Sequence, residues 1–295
     1  MTAKGALLSL PNAQLAPLVT SYEKTVAKRR LAVYGILAVL FVLSLLASYA
    51  GEVSGTKLYN NFGNFTSYFQ RIIPTLHWDT LWTDFREWFW NAGRWINLIL
   101  DTLLIAYVGN VLGVLGGFVL CFFSTNNLMP NPVIRFIARR FLEFCRTVPT
   151  LVFALVMILA FGLGPMAGVI AIAIHTIGAL GKLFAEVVEN IDMKPVDGVR
   201  ACGGSWMETV RYAALPQVLP SFASYSLLRY EINVREASVM GFVGAGGIGQ
   251  DFLEAIRKFY YSDVSAILLL IMITVFTIDI LTSKLRHRLI GLERR

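Results

Sequence analysis

Apolar runs of about twenty residues alternate with short polar and basic segments along most of this chain. Leu31 to Ala50 is apolar throughout and follows Lys28-Arg29-Arg30. Twenty helical residues at about 1.5 Å each match a hydrocarbon core of roughly 30 Å, so this run predicts a membrane-crossing helix. A second run extends from about Ile96 to Phe123, broken by Asp101. A third starts near Val148 and ends in the breaker cluster Gly162-Leu163-Gly164-Pro165. The fourth covers Met166 to about Val188, the fifth Gln217 to about Gly241, and the sixth about Ser265 to Ser283. The pattern predicts an all-α, polytopic helical bundle of about six transmembrane helices. Ser48-Tyr49-Ala50 faintly resembles a signal-peptidase site, but the run before it is longer than a signal core, so an uncleaved first span is expected.

The segments between the runs have their own periodicity. Within Gly51 to Trp95, Trp78, Trp82, Phe85 and Phe89 recur at three- and four-residue spacing, with Trp88, Trp90 and Trp95 nearby. Such a stripe suits a helix lying among outer headgroups, as an aromatic belt or as a receptor contact. In Pro132 to Arg146, apolar Val133, Phe136, Ile137, Phe141 and Phe144 alternate with Arg135, Arg139, Arg140 and Arg146, which predicts an interfacial helix leading into the third span. The expected organisation is a cytoplasmic segment over 1–30, the first span over 31–50, an outer interfacial segment over 51–95, a core over 96–288 that includes a cytoplasmic loop at 189–216, and a tail over 289–295.

Composition agrees with the pattern. The 295 residues are 56% hydrophobic and 15% charged, against about 25% charged for a soluble domain. The net charge of +7 does not call for nucleic acid, because Lys and Arg cluster beside the ends of apolar runs. Six spans place both termini on one side. About 17 basic residues fall outside the spans on that side and about 6 on the other, so the termini are expected in the cytoplasm. Cys121, Cys145 and Cys202 form no C-x-x-C pair and read as packing residues, and with three His no metal cluster is expected.

Between the fourth and fifth runs lies a polar, glycine-punctuated loop. It reads Asp197-Gly198-Val199, three residues that include Arg200, then Gly203, nine residues, and Ala213-Ala214-Leu215-Pro216. Gly203 can supply a sharp turn between two short helices, and Pro216 suits the opening turn of the next span. The spacing resembles the EAA loop of ABC-transporter permeases: Glu-Ala-Ala, three residues, Gly, nine residues, Ile-x-Leu-Pro. Asp197 stands for Glu, Gly198 and Val199 for the two Ala, and Ala213 for Ile, while Gly203, Leu215 and Pro216 match in register.

A narrower resemblance, to phosphonate-type permeases, rests on four stretches: Arg146-Thr147-Val148-Pro149, Leu215-Pro216-Gln217-Val218-Leu219-Pro220, the run from Leu228 to Arg235, and Val243 to Gln250. It covers roughly the last two-thirds of the chain. The resemblance implies the type I ABC importer permease fold and a subunit that imports phosphonates or related phosphorus oxyanions. It further implies a homodimer in the bacterial inner membrane, multi-pass, with two ATP-binding subunits docked on the loop and an extracytoplasmic substrate-binding protein outside. This chain would then bind no cofactor, with ATP and magnesium on the partner. Two alternatives remain: a permease for another small solute such as methionine, which shares the glycine cluster, or an ion-coupled secondary transporter.

The fifth span carries Arg229, Glu231, Asn233, Arg235 and Glu236. One charge at mid-bilayer costs about 2.5 to 3.5 kcal/mol on insertion scales, so these groups must face one another, a partner span or water. Glu231 and Arg235 are four apart in the favourable order, and Glu236 lies about two turns from Arg229. They form either an internal ion-pair network, a substrate pathway in which an arginine meets an oxyanion, or an outer gate. Gly244, Gly246, Gly247 and Gly249 fit G-x-G-x-x-G, but no strand pattern precedes them. A closely packed, flexible re-entrant turn with a gating or receptor role is expected instead of a dinucleotide site. Gly178-Ala179-Leu180-Gly181-Lys182-Leu183 is too short for a P-loop and lacks its Ser or Thr, and no nucleophile–base set stands out, so the chain reads as non-catalytic. His175 reads as a packed core histidine, Lys182 and Glu186 as a pair, Asp101 as a hydrated or helix-start carboxylate, and Gly109, Gly113, Gly116 and Gly117 as a close-packing stripe.

Overall fold

The computed structural model describes residues 12–51, 54–74 and 77–293, and among them every regular element is helical. The chain divides into two units, Met1–Gln70 and Arg71–Arg295. In the first, α1 (Asn12–Ala50) is one continuous helix of 39 residues. The basic triplet at 28–30 therefore does not end it; the apolar run is its second half. Its side chains from Val19 onward are almost all exposed, as expected of a helix solvated by lipid. Most of α2 (Gly55–Ile72) belongs to the same unit and exposes Tyr59, Phe62 and Phe69.

The second unit opens with α3 (Leu81–Trp88), far shorter than the aromatic stripe suggests. Two indoles at and just after its end are hydrogen-bonded to the last helix of the chain. Trp88 Nε1 donates to Ser265 Oγ at 2.9 Å, and Trp90 Nε1 donates to Asp263 Oδ1 at 3.0 Å. Trp78 and Trp82 remain exposed.

The bundle proper is α4 (Ala92–Ser124), α5 (Pro132–Thr147), α6 (Thr150–Phe161), α7 (Pro165–Glu189), α8 (Met193–Ala201), α9 (Trp206–Glu208), a π-helical stretch Thr209–Ala214, α10 (Leu215–Met240), α11 (Gly249–Arg257) and α12 (Tyr261–Glu293). Helices α1, α4, α7 and α12 are long and apolar enough to cross a membrane, and the bent pair α5–α6, counted as one span, would be a fifth. At 26 residues α10 is also long enough, but its four charges set it apart. Asp101 sits exposed inside α4, well past its start, so it is not a helix-start carboxylate.

Small residues set the spacing of α4 and α7. A Cβ on Gly113 would lie 2.4 Å from the Thr176 side chain, and one on Gly109 2.8 Å from Ile172. The expected glycine stripe is thus a close contact between these two helices.

The third span differs from its sequence reading. Helix α5 packs on α7: a Cβ on Gly178 would lie 2.5 Å from the Arg146 backbone nitrogen, so the end of α5 crosses α7 there. Gly178 is about 20 Å along α7 from Pro165 and about 17 Å from Glu189, close to the helix midpoint. The chain then bends by 91° at Val148-Pro149, because the residue before proline is pushed out of the helical region. The 12 residues of α6 cover about 18 Å, and at its far end Gly164 N donates to Gly244 O at 3.0 Å.

Three apolar clusters hold the unit. One joins Phe184, Phe222 and Val196, with Phe184 and Phe222 stacked at 4.0 Å. Another gathers Ile105, Ile172, Val234 and Met240, and a third Trp95, Ile248 and Ile267.

Candidate functional site

The loop between α7 and α10 is a compact knob with a ligated base. Gln217 closes its two ends, accepting from Asp192 N at 3.0 Å and donating to Asp192 O at 3.2 Å. The Asp192 side chain caps α8 by accepting from Lys194 N at 3.0 Å. Val196 points inward and is fully buried in the Phe184–Phe222 cluster, while Asp197, Gly198 and Arg200 are exposed. Arg200 stands 3.9 Å from Asp197 and donates to Asn127 O at 3.2 Å.

Gly203 has φ +80°, a left-handed conformation that turns the chain sharply, and Gly204 N donates back to Val199 O at 3.0 Å. Ser205 and Glu208 then form a capping box, and Ser205's hydroxyl and backbone amide hold the Glu208 carboxyl below the usual carboxylate range. Trp206 Nε1 donates to Leu128 O at 3.0 Å and its ring stacks on Phe123 at 5.4 Å. Leu215 packs against the core cluster and Pro216 opens α10, exposed. Of the three cysteines expected to pack, Cys121 and Cys145 are buried, but Cys202 beside the turn is exposed and does not pack.

The five polar residues of α10 separate into three sets. Arg229 and Glu236, seven apart on one face, meet at 3.4 Å, and Glu236 Oε2 also accepts the Thr150 hydroxyl at 2.8 Å. Arg229 is only 11% exposed, and its Nε has no partner among the described residues. Glu231 and Arg235 pair with each other along the helix; the Glu231 side chain is 10% exposed and that of Arg235 53%. Asn233 is fully buried and turned the other way, donating to Asn110 Oδ1 at 3.0 Å and Thr176 Oγ1 at 3.1 Å. It ties α4, α7 and α10 together. His175 Nδ1 sits 3.2 Å from Val148 O, beside the bend, as a packed core histidine.

The glycine turn is buried from Ala245 to Gly249. Gly244, Gly246 and Gly247 have φ of +87°, +86° and +81°, which residues with a Cβ rarely adopt. Ile248 N donates to Thr102 Oγ1 at 2.9 Å, and Gly249 lies against Ser238 O and Gly241. The turn is close-packed against α4, α7 and α10 rather than loose.

The family model for binding-protein-dependent transport system inner membrane components matches residues 109–290, well over half of the chain. The chain belongs to this family. It is a multi-pass permease of the inner membrane. The PtxC phosphite transport system permease protein of Stutzerimonas stutzeri is 36% identical to this permease over 253 residues, covering 85% of this chain and 88% of that protein. The putative cryptic phosphonate transport system permease protein PhnE2 of Escherichia coli (strain K12) is 49% identical over 121 residues, which is 41% of this chain and 99% of that one. The inward-facing MetNI methionine ABC transporter superposes with a TM-score of 0.58 at 18% identity, over 66% of this permease and 95% of that chain. At that identity the likeness establishes the fold, a type I ABC importer permease.

The permease also presents residues that its sequence did not single out. Met207 and Tyr212 are exposed on the loop, 65% and 64%, an apolar addition to its charged face. Thr150 and the Asn110–Thr176 pair complete the polar contacts of α10. Nothing in their spacing signals this, because each partner lies 57 or more residues away in sequence.

Proposed function

We propose that this permease forms the translocation pathway of an ATP-driven importer of phosphonates or related phosphorus oxyanions. The observation that carries the reading is the 36% identity to a phosphite permease along 85% of the chain. The phosphonate-system relative supports the same class of solute. The methionine transporter contributes the fold alone, and no feature of the chain favours that solute.

In this reading the 197–216 loop is the coupling element. Asp197, Gly198, Val199 and Arg200 offer a face to a separate ATP-binding subunit, with Gly203, Leu215 and Pro216 setting its shape. ATP and magnesium are bound there and not on this chain. The burial of Val196 among Phe184 and Phe222 supports a mechanical link, since a push on α8 is delivered to α7 and α10 through packed side chains. A second copy completes the pathway, two ATP-binding subunits dock on the cytoplasmic face, and an extracytoplasmic substrate-binding protein delivers the solute. Both termini lie in the cytoplasm, with 51–95 on the outer side and 96–288 as the permease core.

Arg229, Glu231, Asn233, Arg235 and Glu236 serve as pathway or gate elements in this assembly. The polarity of α10 supports the assignment, because four charges in one crossing helix are retained at a cost. The packed turn at Gly244, Gly246, Gly247 and Gly249 joins α10 to α11 and would follow any movement of α10.

The test is reconstitution of the chain with its ATP-binding subunit and receptor in lipid. ATP hydrolysis is then measured with phosphite, phosphate, methylphosphonate and methionine. Stimulation by receptor loaded with one phosphorus oxyanion supports the reading. Stimulation by methionine alone, or indifference to every loaded receptor, rejects it.

A further inference from the structure

Among the arginines of the bent span and α10, Arg146, Arg229 and Arg235 are not equivalent. Arg229 is held by Glu236, and Arg235 by Glu231. Arg146 is exposed and makes no ion pair or hydrogen bond among the described residues. Its backbone lies against Gly178, at the midpoint of α7, just before the bend that leads to Thr150. A charge at this depth cannot be left facing lipid tails.

The helix geometry says which way it faces. Residues two apart on an α-helix point roughly 160° from each other, so Arg146 is turned away from Phe144. Phe144 belongs to the exposed apolar face with Val133, Ile137 and Phe141. Arg139, seven residues earlier and within roughly 20° of Arg146 in bearing, bonds to Glu189 at 2.5 Å and to Ser124 O at 2.7 Å. Arg146 therefore continues the polar side of α5, away from its apolar side. Around the bend, His175 against Val148 O and Thr150 against Glu236 fix the backbone that presents it.

We propose that Arg146 is the residue of this chain that meets the phosphorus oxyanion within the bundle, across water, while Arg229 and Glu236 hold the bend in place. The inference rests on the importer reading above. A guanidinium without a resident carboxylate can offer its paired N–H groups to a phosphonate or phosphite oxygen pair. Arg229 and Arg235 must first release an acid to do so. A solvated, singly placed arginine also binds loosely enough for release.

The experiment uses the whole transporter in proteoliposomes, with Cys202→Ser removing the exposed native thiol. Arg146→Cys and Phe144→Cys are exposed to an anionic, membrane-impermeant methanethiosulfonate. Labelling at position 146 is expected at least about tenfold faster than at 144, because only the former faces water. Phosphite uptake by Arg146→Gln is expected to fall about tenfold or more while receptor-stimulated ATP hydrolysis stays within about threefold, and Arg146→Lys recovers part of the uptake.

Equal or slower labelling at 146 overturns the proposal, as does normal uptake by Arg146→Gln. Joint loss of uptake and hydrolysis, unrescued by lysine, also overturns it by assigning Arg146 to folding. A wild-type complex that moves no phosphorus oxyanion rejects the importer reading instead, and the labelling contrast then decides separately whether Arg146 faces water.

Discussion

Glu236 bridges two elements of the bundle: one carboxylate oxygen takes the Thr150 hydroxyl at 2.8 Å and the other meets Arg229 at 3.4 Å. The bent span and α10 are thereby fastened at a point where both carry polar groups among apolar neighbours. Removing the acid alone, as in Glu236→Leu, leaves Arg229 buried without a counter-charge and should cost about 3 to 5 kcal/mol. Thr150→Val removes one hydrogen bond to a charged group and should cost about 1.5 to 3 kcal/mol. Thermal unfolding of the purified protein followed by tryptophan fluorescence ranks them. The double variant Arg229→Met with Glu236→Leu should recover part of the loss, and a double no more stable than Glu236→Leu would show that the pair is not the cause.

Gly178 admits the α5 backbone to α7, with the Arg146 nitrogen 2.5 Å and the Leu142 oxygen 2.7 Å from where a Cβ would stand. Gly178→Ala should destabilise by about 1 to 3 kcal/mol, since backbone atoms must move, and Gly178→Val by more. Melting temperature and yield of monodisperse protein report the effect. An alanine variant as stable as wild type would contradict the crossing at this position.

Two loop glycines should respond in opposite directions. Gly198 lies inside α8 with nothing of this chain within 4 Å of a Cβ, so Gly198→Ala should stabilise that helix by about 0.5 to 1 kcal/mol. Gly203 has φ +80°, so Gly203→Ala should cost about 1 to 2 kcal/mol and lower receptor-stimulated ATP hydrolysis. Parallel melts and hydrolysis assays separate the two.

The capping box carries a pH dependence. Ser205 holds the folded-state pKa of Glu208 below its ordinary value of 4.5. A depressed acid stabilises the fold above its unfolded pKa and loses that contribution as pH falls through the folded value. Amide protection over residues 205–209, corrected for intrinsic exchange, should be flat at neutral pH and fall below about pH 4.5. Glu208→Gln should remove the step; a step that persists in that variant would belong to another group.

Cys202 offers a direct probe of the loop. It is exposed while Cys121 and Cys145 are buried, so a maleimide should modify one thiol in the native chain. Association with the ATP-binding subunit should slow that reaction by about tenfold or more if the loop is the docking face. Unchanged labelling in a complex that hydrolyses ATP would move the docking face elsewhere.

Much of the architecture was legible in the chain. Apolar length gave the crossing elements, and the glycine–leucine–proline spacing gave a loop whose Gly203 does adopt the left-handed turn. Glu231 with Arg235 and Lys182 with Glu186 followed from helical spacing, and each pair forms, the latter at 3.9 Å. The packing of α5 against the middle of α7 was not legible for a physical reason. Its alternation of Arg and Phe describes one polar and one apolar face, and that pattern is the same on a membrane surface and across a membrane interior. Cys202 was misjudged because a small apolar type says nothing about which face of a turn it occupies.

The sequence by itself determined the solvent of each long apolar segment, because burial of twenty apolar residues in lipid depends on length and composition alone. It also determined the local turns, since φ above zero is nearly closed to residues with a Cβ. The tertiary structure decided which charges are spoken for. Glu236 is claimed by Thr150 from 86 residues away, Asn233 by Asn110 from 123 residues away, and Arg146 by neither. Such pairings arise only when α4, α6, α7 and α10 pack together and bring distant polar groups into a medium too poor in water to leave them alone.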